Sequence, residues 1–521
     1  MKPARWIALA AVPLLALLAL PAAGPAARAA STVVNPGFNQ TGGTASPPGW
    51  SASGTTGASY TEATSDGYDG DGYQLTHWSA SGYDVTTWQT LTGLSDGDYT
   101  LGVWVRSNGG DVSDYIALTG CGGAGTPTSV PADSDGAWVR IVTYADVTSG
   151  QCTISFVTDG NAGDWTNYDG VTFTSGSAPL AIRGGDVSSL DRSEQDGGVY
   201  DTSSGASQNA LAQLSGAGMN YVRLRVWVNP ADGFDDEAQL LAMAKQAQSY
   251  GQQLLLDFHY SDTWADPGHQ TTPAAWAPDT FGQLETQVYD YSKQVVTDLV
   301  SQGTPPAMVQ VGNEINGGML WPDGSTSDWA QLAGLLKEGI AGVKAAYPAA
   351  KIVLHLAGSS SESALASWYS TAQADGVSFD IIGLSYYDYW DGRLDVLQSD
   401  LDGLASQFGK PVLVAETGYP WTLTSGDPST ALSFGTSSEL DPGYPATPAG
   451  QAANFRDVLS VVQAVPGGRG LGAFYWEPTW TVVKGNGWDP ANPSSGDGWE
   501  NQAMWNYSDV ALPAISDFAS R

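Results

Sequence analysis

Two glutamates close two short apolar runs about a hundred residues apart. Glu314 ends Met308-Val309-Gln310-Val311-Gly312-Asn313-Glu314, and Glu416 ends Val412-Leu413-Val414-Ala415-Glu416. Runs of this length and composition predict buried parallel strands. A carboxylate at the C-terminal end of such a strand stands where (β/α)8 barrels keep their reacting groups. Two carboxylates facing one cleft, one protonated and one ionised, can cleave a glycosidic bond. The alternative is a pair of unrelated strand-end acids, solvated or salt-bridged. The aromatic and polar residues around both glutamates weigh against it.

Other predicted strands end in the same style. The third runs into Asp257-Phe258-His259-Tyr260-Ser261-Asp262-Thr263-Trp264. Trp321 follows the fourth, Trp390 the sixth and Trp421 the seventh, and the eighth ends Tyr475-Trp476-Glu477-Pro478-Thr479-Trp480. Tryptophans at matching positions, with carboxylates between them, make a sugar-binding cleft: ring faces stack on apolar sugar faces and polar groups take the hydroxyls. A lone tryptophan would be loop packing; Trp264, Trp321 and Trp476 are candidate platforms because they recur. His259, at a strand end, is expected in the site rather than as a buried structural histidine. His355, mid-strand, fits either role. Strand two alternates Arg223 and Arg225 onto one face. A buried arginine needs a partner. Arg225, nearer the C-terminal end, is expected to hold Glu416 ionised, and Arg223 to form a structural pair lower down.

The elements that must position these residues are legible as alternating apolar strands and amphipathic helices. Strands centre on 182–187, 221–228, 254–259, 308–314, 352–356, 381–386, 412–416 and 471–476. Helices fall near 208–216, 237–250, 280–301, 329–346, 362–374, 394–408, 450–462 and 514–520. Eight βα units over residues 180–521 predict an α/β fold of the (β/α)8 barrel type. The long polar loops at 420–448 and 479–512 lie on the side of function. Residues 31–174 instead show short alternating runs broken by Gly, Ser and Asp, which predict a β-sandwich. Residues 175–179 are a linker.

The chain has 521 residues, too many for one typical core. Residues 1–29 carry a basic start, a short apolar stretch and Ala27-Arg28-Ala29, a secretory signal peptide. An exported, extracellular protein is expected, with no membrane span. Lys plus Arg number 20 against 54 Asp plus Glu, a formal charge of −34. Such a surface repels nucleic acid and anionic membranes and disfavours acidic polymers, so a neutral polysaccharide fits better. The two cysteines, Cys121 and Cys152, both lie in the first third, and export permits a disulfide between them. Two buried free thiols are the alternative.

The barrel half closely resembles the arabinogalactan endo-β-1,4-galactanases of glycoside hydrolase family 53, in the clan of retaining (β/α)8 hydrolases. The resemblance rests on Gly185-Asp186-Val187-Ser188-Ser189-Leu190, Tyr221-Val222-Arg223-Leu224-Arg225-Val226-Trp227, the 257–267 segment, Gly312-Asn313-Glu314, Glu416-Thr417-Gly418-Tyr419-Pro420 and Tyr475-Trp476-Glu477-Pro478. It covers about residues 182–512. It implies that Glu314 is the general acid/base and Glu416 the nucleophile. Asn313 would bind the sugar 2-hydroxyl, Tyr386 would hydrogen-bond the nucleophile, and Trp476 would floor the subsite. Asp186, Arg225, His259, Trp264 and Trp321 join them as substrate-binding residues. It further implies a β-1,4-galactan or arabinogalactan substrate, retention, and no cofactor for the chemistry. Bacterial members can carry a calcium ion between the seventh and eighth loops; here those loops offer Asp427, Asp497 and Glu500, with one carboxylate where the family's run is acidic. Residues 31–174 resemble jelly-roll carbohydrate-binding modules through Asn35-Pro36-Gly37-Phe38 and Trp165-Thr166-Asn167-Tyr168-Asp169-Gly170-Val171. Of Trp78, Trp88, Trp104 and Trp138, about two are expected in the core and the rest as sugar platforms. A monomer is expected. Rival readings are an endo-mannanase or cellulase of the same clan, and a non-catalytic polysaccharide-binding protein.

Overall fold

The apolar runs become eight parallel strands because each buries both faces, one against helices and one inside a closed barrel. In this computed structural model, which describes residues 32–40, 46–133, 136–358, 361–427 and 430–519, the barrel strands are β1 (Ile182–Asp186), β2 (Tyr221–Val226), β3 (Gln253–Phe258), β4 (Met308–Val311), β5 (Lys351–Ala357), β6 (Ile381–Ser385), β7 (Val412–Thr417) and β8 (Gly470–Trp476). They close in chain order, β8 pairing back onto β1. The expected signal peptide, 1–29, lies outside the described residues.

The connecting helices form where the 3.6-residue pattern predicts them, and several of their starts are capped. Asp236 accepts from the Gln239 N–H and Asp328 from the Gln331 N–H, while Thr280 and Gln283 form a capping box. The eighth helix is the exception. Residues expected to be helical over 514–520 make a six-residue 3-10 turn, Pro513–Phe518. A proline start and so few residues leave too few i to i+4 bonds to hold an α-helix.

Inside the barrel the alternation of side chains sorts into layers. Ile182, Leu255, Met308, Val353, Ile381, Leu413 and Phe474 form an apolar floor. Gly184 leaves the space for Phe474: an added Cβ would lie 2.2 Å from its ring. The next inward residues on β3, β4 and β5 are Asp257, Gln310 and His355, so polarity begins one layer up, beneath the mouth.

Residues before the barrel form two packed antiparallel sheets. One has five strands and the other six, with the long strands Tyr83–Thr92, Gly97–Ser107, Val139–Val147, Gln151–Gly160 and Trp165–Ser175 at their centres. The core tryptophan is Trp50, whose ring sits 5.3 Å from Phe38 and 5.2 Å from Phe156. None of Trp78, Trp88, Trp104 and Trp138 is buried, contrary to expectation. Trp88 shows why. It alternates with the buried Val85, Thr87, Gln89 and Leu91, so it must face outward. Cys121 and Cys152 are bonded, and closing a loop of 31 residues restricts the unfolded chain by about 3–4 kcal/mol.

The linker is tied rather than free: the Gly176 N–H donates to Asp98 O, and Tyr144 Oη donates to Ala178 O. The sandwich also docks on the barrel. The Arg140 N–H donates to Gln398 Oε1 at 2.7 Å, Gln398 Nε2 donates back to Arg140 O at 3.0 Å, and Arg140 Nη1 reaches Ala464 O.

Candidate active site

Glu314 reaches the barrel mouth through an unusual backbone. β4 stops at Val311, Gly312 takes φ 86°, and Glu314 takes φ 46° and ψ 51°, a left-handed conformation that opens the 3-10 turn Ile315–Gly317. A Cβ on Gly312 would lie 2.6 Å from Ile315 Cγ2, so glycine is required there. Asn316 clamps the turn onto the end of β5: its Oδ1 accepts from the Ala357 N–H and its Nδ2 donates to Ala357 O. Glu416 arrives from the other side. The pairing of β6 with β7 slips between Leu384 and Ser385, which sets Ser385 opposite Glu416.

Both glutamates line one cavity of about 520 Å³ with Arg223, Arg225, His259, Asn313, Ser385, Tyr387, Trp264, Trp390, Trp476 and Trp499. Their environments differ. Glu416 Oε1 lies 2.8 Å from Arg223 Nη1, and Tyr387 Oη donates to its Oε2 at 3.1 Å. Burial raises the Glu416 carboxyl, and Arg223 opposes that rise. Among the described residues no cation lies within ion-pair distance of Glu314; burial first, and then the Glu416 charge, push it well above the ordinary carboxylate range, and Arg223 offsets this only in part. The pair therefore divides into an acid at Glu314 and an anion at Glu416.

Arg223, only 1 % exposed, is the hub under the mouth. Besides Glu416 it holds Asp186 at 2.7 Å and Asp257 at 2.8 Å, and its Nη2 donates to Asn313 Oδ1 at 2.7 Å. This corrects the expectation that Arg225 partners Glu416. Arg225 instead binds Asp235 at 3.0 Å and Glu477 at 2.5 Å, and its guanidinium sits 4.3 Å from the centre of the Trp264 ring. It braces the platform rather than the nucleophile. Asp186 is fully buried behind Arg223 and does not line the cavity.

His259 is in the site as expected. Its Nδ1 accepts from Trp227 Nε1 and from the Ala265 N–H, both at 3.1 Å, so Nε2 carries the proton and donates to Asp257. Asn313 lines the cavity, and its Nδ2 donates to Ala265 O. Tyr386 is a second correction. Its hydroxyl donates to Gly392 O, away from the site, and Tyr387 takes the expected role. Accordingly, Tyr387→Phe should lower kcat/KM by roughly tenfold, one charge-assisted hydrogen bond. Tyr386→Phe should leave kcat unchanged and shift only the urea midpoint. Equal kinetic losses in the two would undo the reassignment.

Trp264 and Trp476 line the cavity as expected; Trp321 does not, and its Nε1 donates to Gly317 O within its own loop. An adjoining cavity of about 530 Å³ shares Trp264, Trp476 and Trp499 and adds Trp480 and Trp488. Trp488 and Trp499 sit in the long loop after β8, where no periodicity marks a residue as inward. Gln310, Asp257 and Ser385 carried a signal: each is a polar residue inside an apolar strand.

Asp427, Asp497 and Glu500 line a third cavity between the two long loops. Glu500 Oε1 accepts from Ser425 Oγ and from the Gly426 and Asp427 N–H groups. Asp497 Oδ2 and Glu500 Oε2 are buried without hydrogen-bond partners. Two such oxygens suit a hard cation, yet calcium takes six to eight. Among the described residues no three acidic, histidine or cysteine side chains converge as a metal-ligand set. The side chains present therefore do not make a complete calcium cage.

A family model, glycosyl hydrolase family 53, matches residues 182–518. An arabinogalactan endo-beta-1,4-galactanase of Thermothelomyces thermophilus is 35% identical over 347 residues, spanning 65% of this chain and 99% of that one. An endo-beta-1,4-galactanase of Bacillus subtilis is 34% identical over 371 residues, 65% of this chain and 85% of that one. Among solved structures, the GH53 catalytic domain of Ignisphaera aggregans superposes with a TM-score of 0.63 at 36% identity, covering 66% of this chain and 98% of that one. With the matched region spanning the whole barrel and both glutamates, the chain belongs to glycosyl hydrolase family 53.

Proposed function

We propose that the protein is a secreted, endo-acting β-1,4-galactanase that cuts galactan or arabinogalactan side chains of pectin with retention. The observation that carries the reading is the opposed pair: Glu416 held by Arg223 and Tyr387, and Glu314, with no ion-pair partner among the described residues, on one tryptophan-lined cavity. In the first step Glu314 protonates the leaving oxygen while Glu416 attacks the anomeric carbon, giving a glycosyl-enzyme. In the second, Glu314 as carboxylate takes a proton from water, which attacks the anomeric carbon from the face the leaving group vacated and releases Glu416 as carboxylate, with net retention. The galactan substrate is supported by the names of the relatives. Export is supported by the character of residues 1–29, and no helix among the described residues is long and apolar enough to cross a membrane. No cofactor enters the chemistry; calcium, where bound beside Asp497 and Glu500, would brace the two long loops. The N-terminal sandwich is proposed as a weak second galactan-binding surface, and the active unit as a monomer.

The two adjoining cavities imply several sugar subsites along an open groove, hence internal cutting. Incubated with galactan, mannan and glucan side by side, the enzyme should thin only galactan, with viscosity falling long before reducing ends accumulate. Release of single galactose units from chain ends would contradict endo action, and cleavage of mannan or glucan instead would move the substrate to another clan member. Native gels containing each polymer, run with full-length Glu416→Gln, separate binding from cleavage. Retention on the gel with no cleavage by the wild type would make the chain a binding protein.

A further inference from the structure

Beneath Glu314 lies a chain of hydrogen bonds that the two-carboxylate scheme leaves unused. Ser385 Oγ is 2.6 Å from Glu314 Oε1 and 2.9 Å from His355 Nε2, and His355 Nδ1 is 2.9 Å from Asn313 Oδ1. The direction of these bonds follows from counting protons. Asn313 cannot be turned over. Its Oδ1 receives Arg223 Nη2, which only donates, and its Nδ2 donates to Ala265 O. His355 is fully buried and neutral: burial and Arg223 both push its pKa down. His355 Nδ1 also lies 3.0 Å from Gln310 Nε2, but the two hydrogens of that amide have Asp257 Oδ1 at 2.6 Å and Asn313 Oδ1 at 3.0 Å as acceptors, so the neutral imidazole places its one proton on Nδ1, toward Asn313 Oδ1. Nε2 is then an acceptor, and the Ser385 hydroxyl donates to it. That spends the only hydrogen Ser385 has. The short contact with Glu314 Oε1 is then satisfied when Glu314 itself carries the proton and donates to Ser385.

We propose that His355, acting through Ser385, is a positioning residue that holds Glu314 in its protonated, acid form. The proposal rests on the galactanase reading above for the role of Glu314, but not for the geometry. It also leaves a way through the second half of the reaction. Once Glu314 is ionised, Ser385 can turn its hydrogen to the carboxylate. The other groups facing the chain are Glu416, Asp266, Arg223 and Tyr387 around Glu314, and Arg223, Asp257 and His259 around His355. Among the described residues it is Ser385, and none of these groups, that hydrogen-bonds the Glu314 side chain.

Two measurements test the proposal. In the pH profile of kcat/KM, activity is lost as pH rises through the Glu314 titration. Ser385→Ala removes the acceptor of the Glu314 proton, so the alkaline limb should move toward acid, by about one unit for a tenfold change in the protonation equilibrium. His355→Phe, which frees the Ser385 hydrogen for the carboxylate, should move it the same way. Were Ser385 only a donor to an ionised Glu314, Ser385→Ala would move the limb toward alkali; that outcome, or an unmoved limb, overturns the proposal. The second measurement needs neither a folded variant nor any substrate. The chain has four histidines, and their ring nitrogens can be resolved by nitrogen-15 NMR of the wild type. His355 should show its proton on Nδ1 at neutral pH. A proton on Nε2 in the resting enzyme overturns the relay even if galactan proves to be the substrate, and a proton on Nδ1 stands even if it does not.

Discussion

With azide present and an activated aryl galactobioside as substrate, Glu416→Gly should form an α-glycosyl azide and Glu314→Gly a β-glycosyl azide. Removing the Glu416 side chain opens the face from which the nucleophile attacks, so azide enters there once and inverts the centre. Removing Glu314 leaves the nucleophile intact. A good leaving group still forms the glycosyl-enzyme, and azide then displaces Glu416 with a second inversion, for net retention. On galactan itself, whose leaving group needs protonation, the Glu314 variant should lose roughly 10²–10⁴-fold in kcat, the range of general acid catalysis, and the Glu416 variant at least as much. Swapped azide products would exchange the roles, and near-normal galactan cleavage by either variant would end the double-displacement scheme.

Arg223→Met should be the most damaging single change outside the two glutamates. It would strand Asp186, Asp257 and Glu416, three buried carboxylates that now lie 2.7–2.8 Å from one guanidinium. Breaking buried pairs from one side costs about 3–5 kcal/mol. The urea midpoint should fall accordingly, and kcat/KM should drop because Glu416 loses the cation that keeps it ionised. The sign is set by Glu416: it must be ionised to attack, so activity is lost as pH falls through its pKa, and the acid limb should move up. Adding Asp257→Asn should recover part of the stability by removing one stranded charge. Arg225→Met, which touches Asp235, Glu477 and Trp264, should lower affinity for substrate and leave the acid limb in place. An unmoved acid limb in Arg223→Met would show that Arg223 does not set the charge of Glu416.

The barrel was legible because each strand is an apolar run of strand length, and the helices between them keep their period. The two glutamates were legible because strand ends are where such runs stop. The corrected assignments fail at places where alternation loses its hold. Arg223 and Arg225 do share a face, but the height of a guanidinium on a long stem is set by neighbouring strands. Asp186 and Asp257 draw Arg223 to Glu416, while Asp235 and Glu477 take Arg225. Tyr386 and Tyr387 come just past the end of β6, after the slip beside Ser385 and before the turn Asp388–Asp391, so parity along the strand no longer says which one faces the mouth. Trp488 and Trp499 were invisible for a related reason: a long loop has no period, and only tertiary packing tells which of its rings turns inward.

The left-handed backbone of Glu314 sets the enzyme's stability against its activity. For a residue with a Cβ this conformation costs about 1–2 kcal/mol relative to the right-handed region, and glycine adopts it freely. The same side chain carries a buried carboxyl that water would otherwise solvate. The sequence best suited to fold at position 314 is therefore one without its acid, and thermal resistance gained there would come at the expense of turnover.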